Sequence, residues 1–380
     1  MKTACLLLTL ALLAPLASAR QEAPVARRGY EATALVAESL EVPFLRWGDA
    51  IMVENVMING KGPYRFVLDT GAEGAGRIDQ AVIDALALPA AGSGRTRHII
   101  GEEREVVTRR LDTLSIGALS FSNVTLIGGD YDARMRSPGL GPVHGILGYH
   151  LFSEYLLTID YPGRMIRVAK GALPEPDGKS VLAIVSDDED PEVEVTIGGQ
   201  SAKALLDTGA QTMLALPSAF AKQVKFSGEL EPMGRERPAK VHRGTLDGAV
   251  RLGEIEIDDP ATVVSETLVQ PVVGVRSLAL LAVTYDQKNG RVRVVRPAAR
   301  PRFGIEFGWT GARPYRFSGV TDNGAAAAAG LRATDRIISI NGQAFETIDR
   351  ESMLRLQDLA TMTLVVEREG AEMVLRLSPR

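Results

Sequence analysis

Leu68-Asp69-Thr70-Gly71-Ala72 returns 138 residues later as Leu206-Asp207-Thr208-Gly209-Ala210, and the surroundings return with it. Ile58-Asn59-Gly60-Lys61-Gly62 leads through Tyr64-Arg65-Phe66-Val67 into the first copy. Ile197-Gly198-Gly199-Gln200 leads through Lys203-Ala204-Leu205 into the second. Each reads as a strand, a glycine turn and a second strand, a β-hairpin that delivers an aspartate at its end. At the same offset, Ile78, Val82, Leu86 and Leu88 match Leu216, Phe220, Val224 and Phe226. Their spacing predicts a short helix, opened by Asp79 in one copy and by Pro217-Ser218 in the other. Farther on, Ile146-Leu147-Gly148 matches Val272-Val273-Gly274, and Asp160 matches Asp286, both at an offset of 126. Each copy then closes with a hairpin-like stretch, Leu157 to Val168 and Val283 to Val294. Two homologous β-rich lobes follow, joined by a linker carrying Gly171, Pro174, Pro176 and Gly178.

One Asp-Thr-Gly is a turn signal, with the aspartate bonding its own backbone. Two copies in equivalent settings point instead to paired carboxylates. To hydrolyse an amide without a metal or a covalent intermediate, one carboxylate takes a proton from water while the other donates one to the carbonyl oxygen. Two carboxyls at contact distance do not both ionise, so the pair shares a proton. Asp69 and Asp207 are the candidate catalytic pair. The Gly71 and Gly209 amides are in reach of the carboxylates, and the Thr70 and Thr208 hydroxyls are placed to cross-link the two loops.

Asp-Thr-Gly-Ala after an apolar strand, followed by an apolar-apolar-Gly segment, resembles the aspartic peptidases of the retroviral and pepsin-like clan. Its duplicated form resembles bacterial aspartyl-protease family proteins, over about 250 residues. The resemblance implies two β-barrel-like lobes, a cleft between them for polypeptide substrates, and a flap hairpin; no phosphate-binding Gly-rich loop appears in the sequence, so a cofactor is not expected. The splitting of the pair's pKa values is established behaviour of that family. Two features depart from the pattern. The first motif runs on as Glu73-Gly74-Ala75-Gly76, a stretch read as flexible. The flap region near 93–110 has no tyrosine but carries Arg95, Arg97, His98, Arg104, Arg109 and Arg110 among Glu102, Glu103 and Glu105. An exposed, solvated hairpin is favoured for it over a clamp on acidic substrates. Both departures leave room for a relative that binds peptides without cutting them.

Net charge is −4, which gives no reason to expect nucleic acid as a partner. His98, His144, His150 and His242 lack metal-ligand spacing, so no metal site is expected. Residues 1–19 carry Lys2, an apolar run from Leu6 to Leu16 and Ala17-Ser18-Ala19. That pattern predicts a secretory signal peptide, with an apolar run too short to span a bilayer. Export to a periplasm or the medium follows as an expectation, with no membrane span after cleavage. The single cysteine, Cys5, would leave with the leader.

After Pro301 the character changes. Phe303-Gly304-Ile305-Glu306-Phe307 alternates like a strand, five alanines lie between Gly324 and Gly330, and Ile337-Ile338-Ser339-Ile340 runs into Asn341-Gly342. A second helix is expected over 350–359, with closing strands at 361–367 and 372–377. This order is similar to a bacterial PDZ domain across 300–380. The resemblance implies that a C-terminal peptide adds as a strand beside Phe303, Gly304, Ile305 and Phe307, its carboxylate held by backbone amides. The fold expected is therefore mainly β: a bilobal aspartic-peptidase-like double β-barrel followed by a PDZ-like α+β domain. The segments are 1–19, 20–170, 171–298 and 299–380.

Overall fold

The computed structural model describes residues 28–47, 49–97, 103–131, 142–186, 190–233, 241–297, 303–308, 316–320, 324–348, 352–353, 356, 359 and 361–378. The leader-like residues 1–19, His98 and most of the helix expected over 350–359 lie outside the described residues.

The two aspartate hairpins form as their turns dictate. Ala50–Ile58 pairs antiparallel with Lys61–Asp69 across Asn59 and Gly60, whose φ values are 50° and 70°. Glu192–Ile197 pairs with Gln200–Asp207 across Gly198 and Gly199, at 53° and 86°. Two successive left-handed residues are what a two-residue hairpin turn needs to match strand twist. A return strand then inserts parallel to each aspartate strand. Gly145–Gly148 places Gly148 opposite Asp69, and Val272–Gly274 places Gly274 opposite Asp207. The two sequence landmarks of each copy thus meet at one point.

The closing hairpins do more than end their lobes. Leu156–Asp160 pairs with Met165–Ala169, Ala282–Asp286 pairs with Arg291–Val295, and the two hairpins join through antiparallel pairing of Leu156–Asp160 with Ala282–Asp286. Ser39–Pro43 and Val181–Ala183 flank the result, a six-stranded sheet shared by both lobes. Thr158 faces Thr284 in this register, with their hydroxyl oxygens 2.9 Å apart. These two residues are repeat equivalents, so the pseudo-twofold axis passes between them. One hydrophobic core runs through both lobes, from Phe66, Leu68 and Leu147 to Leu206, Val273 and Tyr285.

The second helix is shorter than its spacing predicts. Asp79 caps Gln80–Leu86 by accepting from the Ala81 amide, but Pro217 offers no side-chain acceptor and Ser218–Ala221 makes a single turn. Val224 and Phe226 continue as irregular chain, with Phe226 bridging to Leu246. Ile78 and Leu216 belong to the preceding strands, Gly76–Asp79 and Leu214–Pro217.

The C-terminal segment has its own core of Phe303, Ala326, Leu331, Ile337, Ile340 and Leu364. Ile305–Gly308 pairs with Arg316–Val320. Arg336–Ile340, Gln343–Ala344, Met362–Arg368 and Ala371–Leu377 form a second sheet, entered through a left-handed Asn341-Gly342 turn. The alanine run makes the helix Ala325–Ala328, stopped at Gly330 with φ 85°.

Candidate active site

Each aspartate sits where a strand turns out of its sheet, and its first ligands are local. Asp69 Oδ1 accepts from the Gly71 amide at 2.9 Å. Asp207 Oδ1 accepts from the Gly209 and Ala210 amides at 2.7 and 3.1 Å. The threonines cross between lobes. The Thr70 amide donates to Thr208 Oγ1 at 2.9 Å, and the Thr208 amide donates to Thr70 Oγ1 at 3.0 Å. Thr70 Oγ1 donates to the Leu206 carbonyl at 2.7 Å, and Thr208 Oγ1 to the Leu68 carbonyl at 3.0 Å. Four buried hydrogen bonds therefore lock the two loops face to face.

The glycines cross as well. A Cβ on Gly71 would lie 2.6 Å from Asp207 Oδ1, and one on Gly209 would lie 2.5 Å from either Asp69 carboxylate oxygen. Each motif glycine is thus the floor on which the opposite lobe's carboxylate rests. The two carboxylates share one site, but their surroundings differ. Asp207 is 7% exposed, while Asp69 opens further toward solvent. Burial first, and the neighbouring Asp69 charge second, push the Asp207 carboxyl up to about 8.

Beneath the site lie two tyrosines that no local motif marks. Tyr285 and Tyr161 are almost wholly buried, and burial raises both phenols well above their ordinary range. The Tyr285 hydroxyl lies beside Thr70. The only sequence sign of either was its place next to the matched Asp160 and Asp286. His144 serves the scaffold, with Nδ1 accepting the Arg65 amide at 2.9 Å and its ring edge-on to Tyr64.

The expected flap is the hairpin of Ala90–Arg97 and Glu103–Ile116. Its backbone register sets Arg95 opposite Glu105, so unlike charges face each other across the strands, and both side chains are exposed. Thr96 donates to Glu73 Oε2 at 2.5 Å, tying the hairpin to the loop that follows Asp69. The glycine tail of that loop, read from the sequence as flexible, is packed inside the lobe. Gly74, Ala75 and Gly76 are buried. A Cβ on Gly76 would lie 2.0 Å from the Ile146 carbonyl oxygen, and one on Gly148 would lie 2.4 Å from that of Gly74. Gly76 is glycine because the return strand passes too close for a side chain there.

In the C-terminal segment the Phe303 side chain is core, and its carbonyl accepts the Ala326 amide at 2.6 Å. Ile305 packs against the same core, leaving backbone and Gly304 at the strand's start. The Phe307 side chain is outside the described residues. Among the described residues, no group of three or more His, Cys, Asp or Glu side chains is placed to hold a metal.

Fold and site together define a two-lobed protein of the aspartyl protease type. The aspartyl protease family model matches residues 54–151 and 193–279, one span per lobe, and the PDZ domain model matches 295–367. The chain is thus an aspartyl protease-like protein that carries a C-terminal PDZ domain. Among solved structures it is similar to the aspartic proteinase from Irpex lacteus, at 14% identity and a TM-score of 0.45. That similarity covers 69% of this chain and 98% of the other. No curated protein matches the chain.

Proposed function

We propose that the protein is an aspartic endopeptidase in which Asp69 and Asp207 activate one water molecule against a peptide carbonyl. The observation that carries this reading is the crossed grip of Thr70 and Thr208, which sets two unequal carboxyls in one cleft. Asp207, the more buried, holds the proton and donates it to the carbonyl oxygen. Asp69, ionised, takes a proton from the attacking water as the carbon–oxygen bond forms. Collapse of the tetrahedral diol breaks the C–N bond. The proton on Asp69 passes to the leaving amine, and the product acid returns one to Asp207. The packed glycine tail removes one reason for a binding-only reading. The PDZ domain recruits or gates peptide chains through the strand at Ile305, and the pattern of residues 1–19 supports export.

Cleavage of a mixed peptide library across about pH 3 to 8 tests this. Residues 20–380 should cut, and Asp69→Asn and Asp207→Asn, each confirmed folded, should each lose ~1,000-fold or more. Cleavage that survives either substitution sinks the two-aspartate mechanism. Peptide binding without cleavage by any form points to the adaptor instead.

A further inference from the structure

The repeat places a basic side chain at the same point in both lobes. Gly148 and Gly274, which lie opposite the two aspartates, each begin a short helical turn. The second residue of that turn is His150 in the first lobe and Arg276 in the second, 126 residues apart. Neither stays within its own lobe. Arg276 Nε donates to Asp49 Oδ2 at 2.7 Å, and Asp49 stands directly before the strand Ala50–Ile58 that leads to Asp69. His150 Nε2 meets Asp190 Oδ1 at 3.3 Å, and Asp190 stands before the strand Glu192–Ile197 that leads to Asp207. Each pair therefore ties the turn beside one aspartate to the root of the hairpin carrying the other.

We propose that Arg276–Asp49 and His150–Asp190 are crossed clasps that position the two aspartates. They form an outer ring around the inner grip of Thr70 and Thr208. As a positioning device this rests on the two-aspartate reading. The surroundings favour placement over bulk stability. Arg276 is 55% exposed, and an ion pair so open to solvent contributes little to folding on its own. It is nevertheless aimed, because Arg46 Nη2 fixes the other oxygen of Asp49 at 3.3 Å. His150 is buried against the Tyr149 ring, which sets its direction toward Asp190. Glu154, four residues beyond His150, is engaged by Arg28 and Lys288. The clasps have no counterpart in the motif itself, and only the 126-residue offset reveals them as a pair.

The test uses Arg276→Ala and Asp190→Ala, both at sites open to solvent, with Arg276→Lys as the conservative form. Cleavage is followed as kcat and KM well below the unfolding temperature, and hydrogen exchange is followed at the peptides holding Thr70 and Thr208. Each alanine form should lower kcat ~10-fold with KM little changed, because a small misplacement of reacting groups weighs heavily on the chemical step. Each should also speed exchange at both threonine loops, and Arg276→Lys should recover most of both effects. Unchanged kcat with exchange raised only beside the substituted residue overturns the proposal. A wild type that cuts nothing overturns the endopeptidase reading alone, and exchange at the two loops still decides the clasps.

Discussion

Each motif threonine uses its hydroxyl twice, donating to a carbonyl of the other lobe and accepting the other threonine's amide. Valine has the same shape but neither function. Thr208→Val would strand the Leu68 carbonyl and the Thr70 amide in a buried site, costing roughly 2 kcal/mol or more. Thr208→Ser should recover most of that loss, and denaturant unfolding of the three forms measures it. Asp207 carries a second consequence. Its folded pKa is raised from 3.8 to about 8, so between those values the folded state holds a proton that the unfolded state has released. Stability from this group is full below pH 4 and declines as pH rises toward 8. Asp207→Asn should flatten that decline and melt higher than the wild type at neutral pH, as thermal unfolding across the range would show. An equal slope in both forms would mean that Asp207 is not the proton holder. At this scale the sequence was highly legible. Asp69, Asp207, Thr70 and Thr208 are brought together as the repeat implied, because a motif duplicated in equivalent settings constrains both copies at once. That each glycine supports the opposite carboxylate was not legible, since contact across lobes leaves no local signal.

Elements show where single-residue reading fails. Glu73-Gly74-Ala75-Gly76 reads as slack because a sequence shows the missing side chains and not what fills their space. Here the filler is the return strand Gly145–Gly148, whose Ile146 carbonyl lies where a Gly76 side chain would begin. Gly76 also holds φ at 134°, which L residues rarely adopt. Gly76→Ala should therefore destabilise the lobes by about 3 kcal/mol or more. It should also lower cleavage beyond the unfolded fraction, because Gly148 beside Asp69 must move with the strand. The flap gives a milder case. Thr96→Val removes its bond to Glu73 on a partly exposed hairpin. The folded fraction should hold, and if the hairpin acts as a flap KM should rise more than kcat falls. A change in kcat alone would place Thr96 in the chemistry instead. The family resemblance and the mixed charges made this hairpin legible, but only strand register shows that Arg95 is set opposite Glu105.

At the scale of the whole molecule, the two largest cores among the described residues divide the chain. The lobes share a continuous interior and the six-stranded sheet centred on Thr158 and Thr284, a union that the offset of 126 implied only once the sheet register was seen. The C-terminal segment keeps a separate core, and its main buried charge lies within it. Asp335 is buried and accepts from Arg368 Nε and Nη2, both at 2.7 Å, and Arg368 Nη2 also reaches the Gly330 carbonyl. The Arg368 hydrogen bond holds the Asp335 carboxyl below its ordinary range. A carboxyl whose folded pKa is depressed contributes stability above its ordinary value and loses it as pH falls through the lowered one. Asp207 runs the other way, contributing most to the lobes in acid. The two units should therefore part company on acidification, the PDZ unfolding step falling further than the lobe step. Calorimetry of the full chain at neutral pH and near pH 3 should resolve two transitions that separate in acid. Arg368→Ala should lower only the C-terminal transition at neutral pH, because it leaves Asp335 buried without its partner. A single transition that moves as one under both changes would show the two cores to be coupled, so that the stability of the C-terminal domain could not be set apart from that of the cleft.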